Sequence, residues 1–256
     1  MGRFWTGVGL LLAWAVGVGA PEEPAGVEFS AQVQQGGPQG IVSTGRLQVG
    51  DHRMRTEMSQ GGRRVIQIID YAERVAYTLD PEREVYVELH GPGAASQAPA
   101  GSAGAEVSPC DAIPGASCTR LGKEEIAGRP AVKWEVRAPG PRGGEASMTQ
   151  WIDAERGIPL RSESPDKTRM ALEMTGRETV NGRTAEKWEM TVEREDGQTQ
   201  RSYLWYDPVL KMAIREEFPG GYVRELTDIR IGPQPDSLFR VPGGYREMSI
   251  EQAGQR

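Results

Sequence analysis

The sequence predicts a mainly β protein: an antiparallel sheet built partly from a duplicated β-meander, with few or no helices. Three observations carry that prediction. Apolar side chains recur with a period of two along most of the chain, tight-turn dipeptides separate those runs, and one register of residues returns at an offset of 54 positions.

Taken in order, the first element stands apart from the sheet. Arg3 precedes an apolar run from Val8 to Val18, and Gly19 and Ala20 put small side chains at its end. A basic start, a short apolar centre and a small-residue cut make residues 1–20 a secretory signal peptide. The run is short for a bilayer span and leads directly into Pro21-Glu22-Glu23-Pro24. No cysteine follows it to carry a lipid anchor, and residues 21–26 read as a short exposed leader. Cleavage would leave 236 residues with 29 basic against 36 acidic side chains, enough chain to bury one substantial core. That mild acidity argues against a nucleic-acid partner and supplies no polybasic surface for anionic lipid.

Residues 27–248 read as a single β domain. Val27, Phe29, Ala31 and Val33 alternate with polar residues, the mark of a strand buried on one face. Val75, Tyr77 and Leu79, then Val85, Val87 and Leu89, flank Asp80-Pro81-Glu82-Arg83, whose chemistry is that of a hairpin turn. Gly50-Asp51, Gly61-Gly62, Asn181-Gly182, Asp196-Gly197 and Gly220-Gly221 supply further tight turns. Helical signals reduce to one turn at Asp236-Ser237-Leu238-Phe239 and a frayed tail over 249–256. Residues 90–117, dominated by Gly, Ala, Pro and Ser, hold too little apolar surface to order themselves and read as a flexible exposed loop.

Cys110 and Cys118 sit at the far end of that loop. In an oxidising compartment they are expected to pair, since the CxxC spacing or adjacent histidines that redox or metal work requires are missing. The closed loop is small, so the disulfide is a local staple worth under about 3 kcal/mol in the chain-entropy view.

The repeat is the most informative feature. Gly122-Lys123-Glu124, Gly128-Arg129, Ala131 and Lys133-Trp134-Glu135 recur as Gly176-Arg177-Glu178, Gly182-Arg183, Ala185 and Lys187-Trp188-Glu189. Trp151, Asp153, Arg161 and Glu163 recur as Trp205, Asp207, Arg215 and Glu217. Each unit reads as a meander with an inward Trp, a strand ending in Trp-x-Asp and a strand carrying the arginine. Side by side, two such units form a sheet with one apolar and one charged face.

Residues suited to catalysis are scarce. GxSxG, GxxxxGK[ST] and HExxH are all absent, and His52 and His90 stand alone. The pairs Glu22-Glu23, Glu124-Glu125 and Glu216-Glu217 read as a solvated face, so no catalytic residue, cofactor or metal is expected. Trp134, Trp151, Trp188 and Trp205 are either the anchors of the core or the lining of an apolar ligand surface. Arg161 with Asp153, and Arg215 with Asp207, read as contacts that brace turns.

These motifs resemble a family. Cys110 and Cys118 followed by Gly122-Lys123-Glu124 through Lys133-Trp134-Glu135, Trp151-Ile152-Asp153 with Gly157-Ile158-Pro159-Leu160-Arg161, and the ending Pro235-Asp236-Ser237-Leu238-Phe239 with Val241-Pro242-Gly243-Gly244-Tyr245 resemble the uncharacterised exported family DUF4412. They are also similar to the periplasmic lipoprotein carriers and sensors of the LolA and LolB type. That resemblance implies a periplasmic half-barrel whose concave apolar face, closed by helices, receives acyl chains. This chain departs from it in showing no amphipathic helix to act as a lid. The expected function is non-enzymatic: holding a lipid or lipoprotein acyl chain on the concave face or, alternatively, contacting another envelope protein with no small ligand.

Overall fold

The computed structural model describes residues 27–60, 62–90, 108–112, 115–139, 144–249 and 252. The expected signal peptide and leader, most of the loop between residues 90 and 117, and most of the tail lie outside the described residues. An N-terminal meander comprises β1 (Phe29–Gly37), β2 (Gly40–Gly50), β3 (Arg53–Gln60), β4 (Arg63–Asp70), β5 (Val75–Asp80) and β6 (Val85–His90). A 3-10 turn at Pro109–Ala112 precedes the first repeat unit: β7 (Ser117–Ile126), β8 (Arg129–Pro139), β9 (Glu145–Asp153) and β10 (Pro159–Glu163). The second unit follows as β11 (Arg169–Val180), β12 (Arg183–Glu193), β13 (Thr199–Asp207) and β14 (Met212–Phe218), and β15 (Tyr222–Ile231) completes the meander. The predicted helical turn is a 3-10 turn at Asp236–Phe239, and the two-residue β16 (Arg246–Glu247) ends the sheet.

All sixteen strands belong to one mainly antiparallel sheet, ordered β16-β6-β5-β4-β3-β2-β1-β15-β14-β13-β12-β11-β10-β9-β8-β7. β1 pairs with both β2 and β15, so it sits mid-sheet and the strands run up and down to either side of it. β6 and β7, consecutive in the chain, stand near opposite edges of the sheet. β16 pairs in parallel with β6 through Arg246↔Val85 and Glu247↔Tyr86 and shields that edge. β7 carries a bulge between Arg120 and Gly122, with Lys123 directly after the bulge, two features that discourage edge-to-edge pairing.

The turn chemistry explains the hairpins. At the β11–β12 turn Asn181 and Gly182 have φ of 51° and 77°, the positive pair that a primed turn needs to match the twist of its strands. The equivalent turn of the first unit has Ala127 and Gly128 at 49° and 76°.

With no α-helix packed on it among the described residues, the sheet must bury its apolar side in another way, and it coils onto itself. In the β8–β9 pair Trp134 lies opposite Gln150 and Lys133 opposite Trp151, so the two indoles point to opposite faces. The β12–β13 pair treats Trp188 and Trp205 in the same manner. Yet Trp151 of the first unit and Trp188 of the second share one core cluster with Ala131, Leu160, Leu172 and Met190. One step along, Ala185, Trp205, Leu210 and Met212 of the second unit pack with Phe29, Val33, Leu47 and Val49 of the N-terminal meander. One face of each unit therefore covers the opposite face of the next. Right-handed strand twist accumulated over many strands permits this, and each large side chain so enclosed contributes about 1.5–3 kcal/mol. The expectation of one apolar and one charged face is corrected accordingly.

The other face of β4–β6 is covered by the C-terminal segment. Leu238, Phe239, Val241 and Tyr245 pack against Ile66, Ile68, Tyr77, Leu79 and Tyr86. Gly50 makes room for this strap: a Cβ there would lie 2.8 Å from the Phe239 ring. Arg53 holds the strap from above, its guanidinium 4.9 Å from the ring centre and 2.6 Å from Asp236.

Candidate functional site

The repeat builds the same polar bracket twice. In the first unit Trp151 Nε1 donates to Glu124 Oε2 at 2.7 Å and Lys133 Nζ donates to Oε1 at 3.0 Å. In the second, Trp205 Nε1 donates to Glu178 Oε2 at 2.7 Å and Lys187 Nζ to Oε1 at 2.8 Å. Cross-strand neighbours sandwich each indole: Lys133 and Arg161 each lie 4.8 Å from the Trp151 ring, and Lys187 and Arg215 lie 5.0 and 5.3 Å from Trp205. The Trp151 and Lys133 donors hold the Glu124 carboxyl below its ordinary range, and Lys187 and Trp205 do the same for Glu178.

Asp153 and Asp207 end their strands as buried turn caps. Asp153 Oδ1 accepts the N–H groups of Glu155 and Arg156, and Asp207 Oδ1 those of Val209 and Leu210. Their arginine partners are Arg129 and Arg183, which corrects the expected pairing. Arg161 and Arg215 instead stack on the indoles and pair with Glu163 and Glu217. Of the acidic pairs, Glu216 is corrected, being buried and bound to Arg224 at 3.0 Å, whereas Glu124 and Glu125 are exposed and Glu22-Glu23 lies outside the described residues.

Between the units sits an ion pair that the repeat does not copy. Arg156 Nη1 and Nη2 donate to Glu186 at 2.6 and 3.1 Å, and the guanidinium lies 5.5 Å from both the Trp188 and the Tyr206 rings. The Arg156 bonds hold the Glu186 carboxyl low, and Glu186 in turn pushes the guanidinium up. The position equivalent to Arg156 is Leu210, which meets the apolar cluster of the N-terminal meander. No sequence signal marks Arg156 and Glu186, which lie in different units and break the repeat.

The four tryptophans do not share one surface. Trp151, Trp188 and Trp205 are buried in the coil, while Trp134, near the β7 edge, is half-buried with its Nε1 enclosed and unpaired. Cys110 and Cys118 form a disulfide that ties the Pro109–Ala112 turn to β7. His52 lies 3.5 Å from Asp51 and His90 2.7 Å from Glu88. Among the described residues no group of three or more His, Cys, Asp or Glu is placed to hold a metal ion.

Spaces against the sheet differ in size. One, beside Met190, Leu204, Glu216 and Phe218, has only about 10 Å³, the size of a single water. Another is an open cleft of about 530 Å³ between Tyr77, Tyr86 and Glu88 of β5 and β6 and the strap at Phe239–Val241.

No protein-family model matches the chain, so its likeness to DUF4412 stays one of motifs, and no curated protein matches it. Among solved structures the chain is similar to the LolA superfamily protein NE2245 from Nitrosomonas europaea, at 12% identity, 84% coverage of this chain and 89% of that one, TM-score 0.36. It is similar to a putative outer membrane lipoprotein-sorting protein domain from Vibrio parahaemolyticus at 10% identity, covering 86% and 92%, TM-score 0.34. The MucA/MucB complex from Pseudomonas aeruginosa matches at 12% identity, 83% and 90% coverage and TM-score 0.20. None of these matches assigns a family or an activity.

Proposed function

We propose that this is a non-enzymatic binding protein, exported to the periplasm, that engages an envelope protein through its exposed sheet surface. The observation carrying this reading is that the sheet fills its own apolar faces. Between the coiled units the space beside Met190 and Leu204 is about 10 Å³, against the roughly 300 Å³ or more of a ligand pocket, and the larger cleft of about 530 Å³ lies outside the coil, under the strap, where Asp70, Glu73 and Glu88 make its wall unsuited to an acyl chain. Exposed apolar side chains gather instead at neighbouring hairpin ends, Ile41 and Val42 in β2 and Tyr222 in β15, where the Tyr222 hydroxyl lies 3.2 Å from Gln35 Oε1 of β1. Clustered exposed apolar groups of this kind mark contact surfaces. The shifted carboxylates agree with a non-catalytic role: Glu124, Glu178, Glu186 and Asp236 all shift downward, away from what a general acid needs.

A second reading, an acyl chain held between the coiled units, is favoured by their methionines. Met170 and Met190 lie in the cluster that joins the two units, and Met212 lies in the next. Unbranched thioether side chains adapt to irregular guests, and in this reading Trp134, Trp151, Trp188 and Trp205 would line the opened seam. Native mass spectrometry with lipid extraction on protein from its own envelope fraction separates the two. An apo mass, with photo-crosslinking from position 222 but not from Glu173 to one envelope protein, supports the first. A co-purifying acyl species without a specific crosslink overturns it in favour of the second.

A further inference from the structure

The cleft under the strap has a chemistry of its own. Strand register sets three rows across β4, β5 and β6: Ile66, Leu79 and Tyr86; Ile68, Tyr77 and Glu88; Asp70, Val75 and His90. The strap packs on the first row and on Ile68 and Tyr77 of the second, and beyond them, toward Glu88 and the third row, about 530 Å³ stays open. The Tyr77 and Tyr86 rings meet edge to face, with centres 6.1 Å apart and planes at 60°, and form an aromatic corner. Around it stand the carboxylates of Asp70, Glu73 and Glu88, while Phe239 lines the strap side beside Arg240.

We propose that this cleft binds an alkylammonium group, a positively charged nitrogen carried on a short apolar stem. Three carboxylates stand against one arginine and His90, whose Nε2 lies 2.7 Å from Glu88, a balance unfavourable for an anion. The carboxylates do not converge as a metal site would require among the described residues. An ammonium asks for neither convergence nor fixed coordination: it is attracted by ring faces and by dispersed negative charge, and its stem occupies the apolar floor at Val75. The Tyr77 hydroxyl senses the same field, since burial and then the charges of Glu88, Asp70 and Glu73 raise it above its ordinary range. The site is independent of the partner proposed above, because the cleft lies on a different part of the molecule from the Ile41–Tyr222 surface.

The test titrates the mature protein with choline and, separately, with 3,3-dimethylbutan-1-ol, which has the same shape without the charge. Tyrosine ring resonances are followed by NMR at pH 8, where an imidazole is uncharged. Choline is expected to shift the Tyr77 and Tyr86 signals saturably, with the neutral isostere at least about tenfold weaker. Glu88→Gln, a conservative change, is expected to weaken choline about threefold to fivefold, and Tyr77→Leu by at least as much. Equal responses to the two probes, no saturable shift, or an unchanged choline affinity in Glu88→Gln each overturn the proposal.

Discussion

Replacing Arg156 by Leu tests whether the repeat units are locked by an ion pair rather than by apolar packing alone. Leu is the residue that the equivalent position 210 carries, so the backbone accepts it. The substitution leaves Glu186, whose side chain is 5% exposed, without the two guanidinium bonds at 2.6 and 3.1 Å. Breaking a buried pair costs about 3–5 kcal/mol. Arg156 keeps a quarter of its surface in water, and Arg177 stays 3.7 Å from Glu186, so the lower end, about 3 kcal/mol, is expected. In a domain of this size that lowers Tm by about 6–12 °C. Adding Glu186→Val, the residue found at the equivalent position 132, removes the stranded charge and should recover at least half of the loss. Glu186 titrates below its ordinary value in the folded chain, so its contribution is present above the unfolded carboxyl pKa and is lost as pH falls through the folded one. The gap between wild type and Arg156→Leu should therefore narrow in acid, below about pH 4.5. Urea unfolding at pH 7 and pH 3 measures all of this. A loss under about 1 kcal/mol at pH 7, or a double variant no better than the single one, would refute the reasoning.

Trp151→Phe and Trp205→Phe each remove one indole bond to a bracket carboxylate and should each cost about 1–2 kcal/mol in urea unfolding, agreeing within about 0.5 kcal/mol because the brackets are duplicates. Asp207→Ala strips the caps from two backbone N–H groups and the partner from Arg183, and should cost about 2–3 kcal/mol by calorimetry. Phe239→Ala should cost about 3–5 kcal/mol and speed hydrogen exchange in β5 and β6 before the repeat units, because the strap is their cover. Reducing Cys110–Cys118 should cost less than about 3 kcal/mol and leave the sheet folded, as circular dichroism would show.

Much of the architecture is local and was therefore legible. Alternation in Phe29, Ala31 and Val33, the positive-φ pair at Asn181-Gly182 and the 54-residue register depend on near neighbours, so strands, turns and the duplicated unit follow from the chain alone. The lone turn at Asp236–Phe239 was equally visible. Glu124 and Glu178 recur in the repeat, so their joint role had a signal, but alternation alone reads them as solvent-facing; their hold on Trp151 and Trp205 needs neighbouring strands in register. The Arg156–Glu186 lock left no trace, because it joins unlike positions of successive units. Nor did the cleft, whose walls come from β5, β6 and a strap some 150 residues later.

By itself the sequence determined that this chain makes a meandering antiparallel sheet with a repeated unit and a cysteine pair able to bond. Only the tertiary structure decided what covers the apolar faces. Periodicity tells which side chains avoid water but not what they meet: over β4–β6 the cover is the C-terminal strap, and over the repeat units it is the next turn of the same sheet, set by twist accumulated across strands that no local pattern encodes.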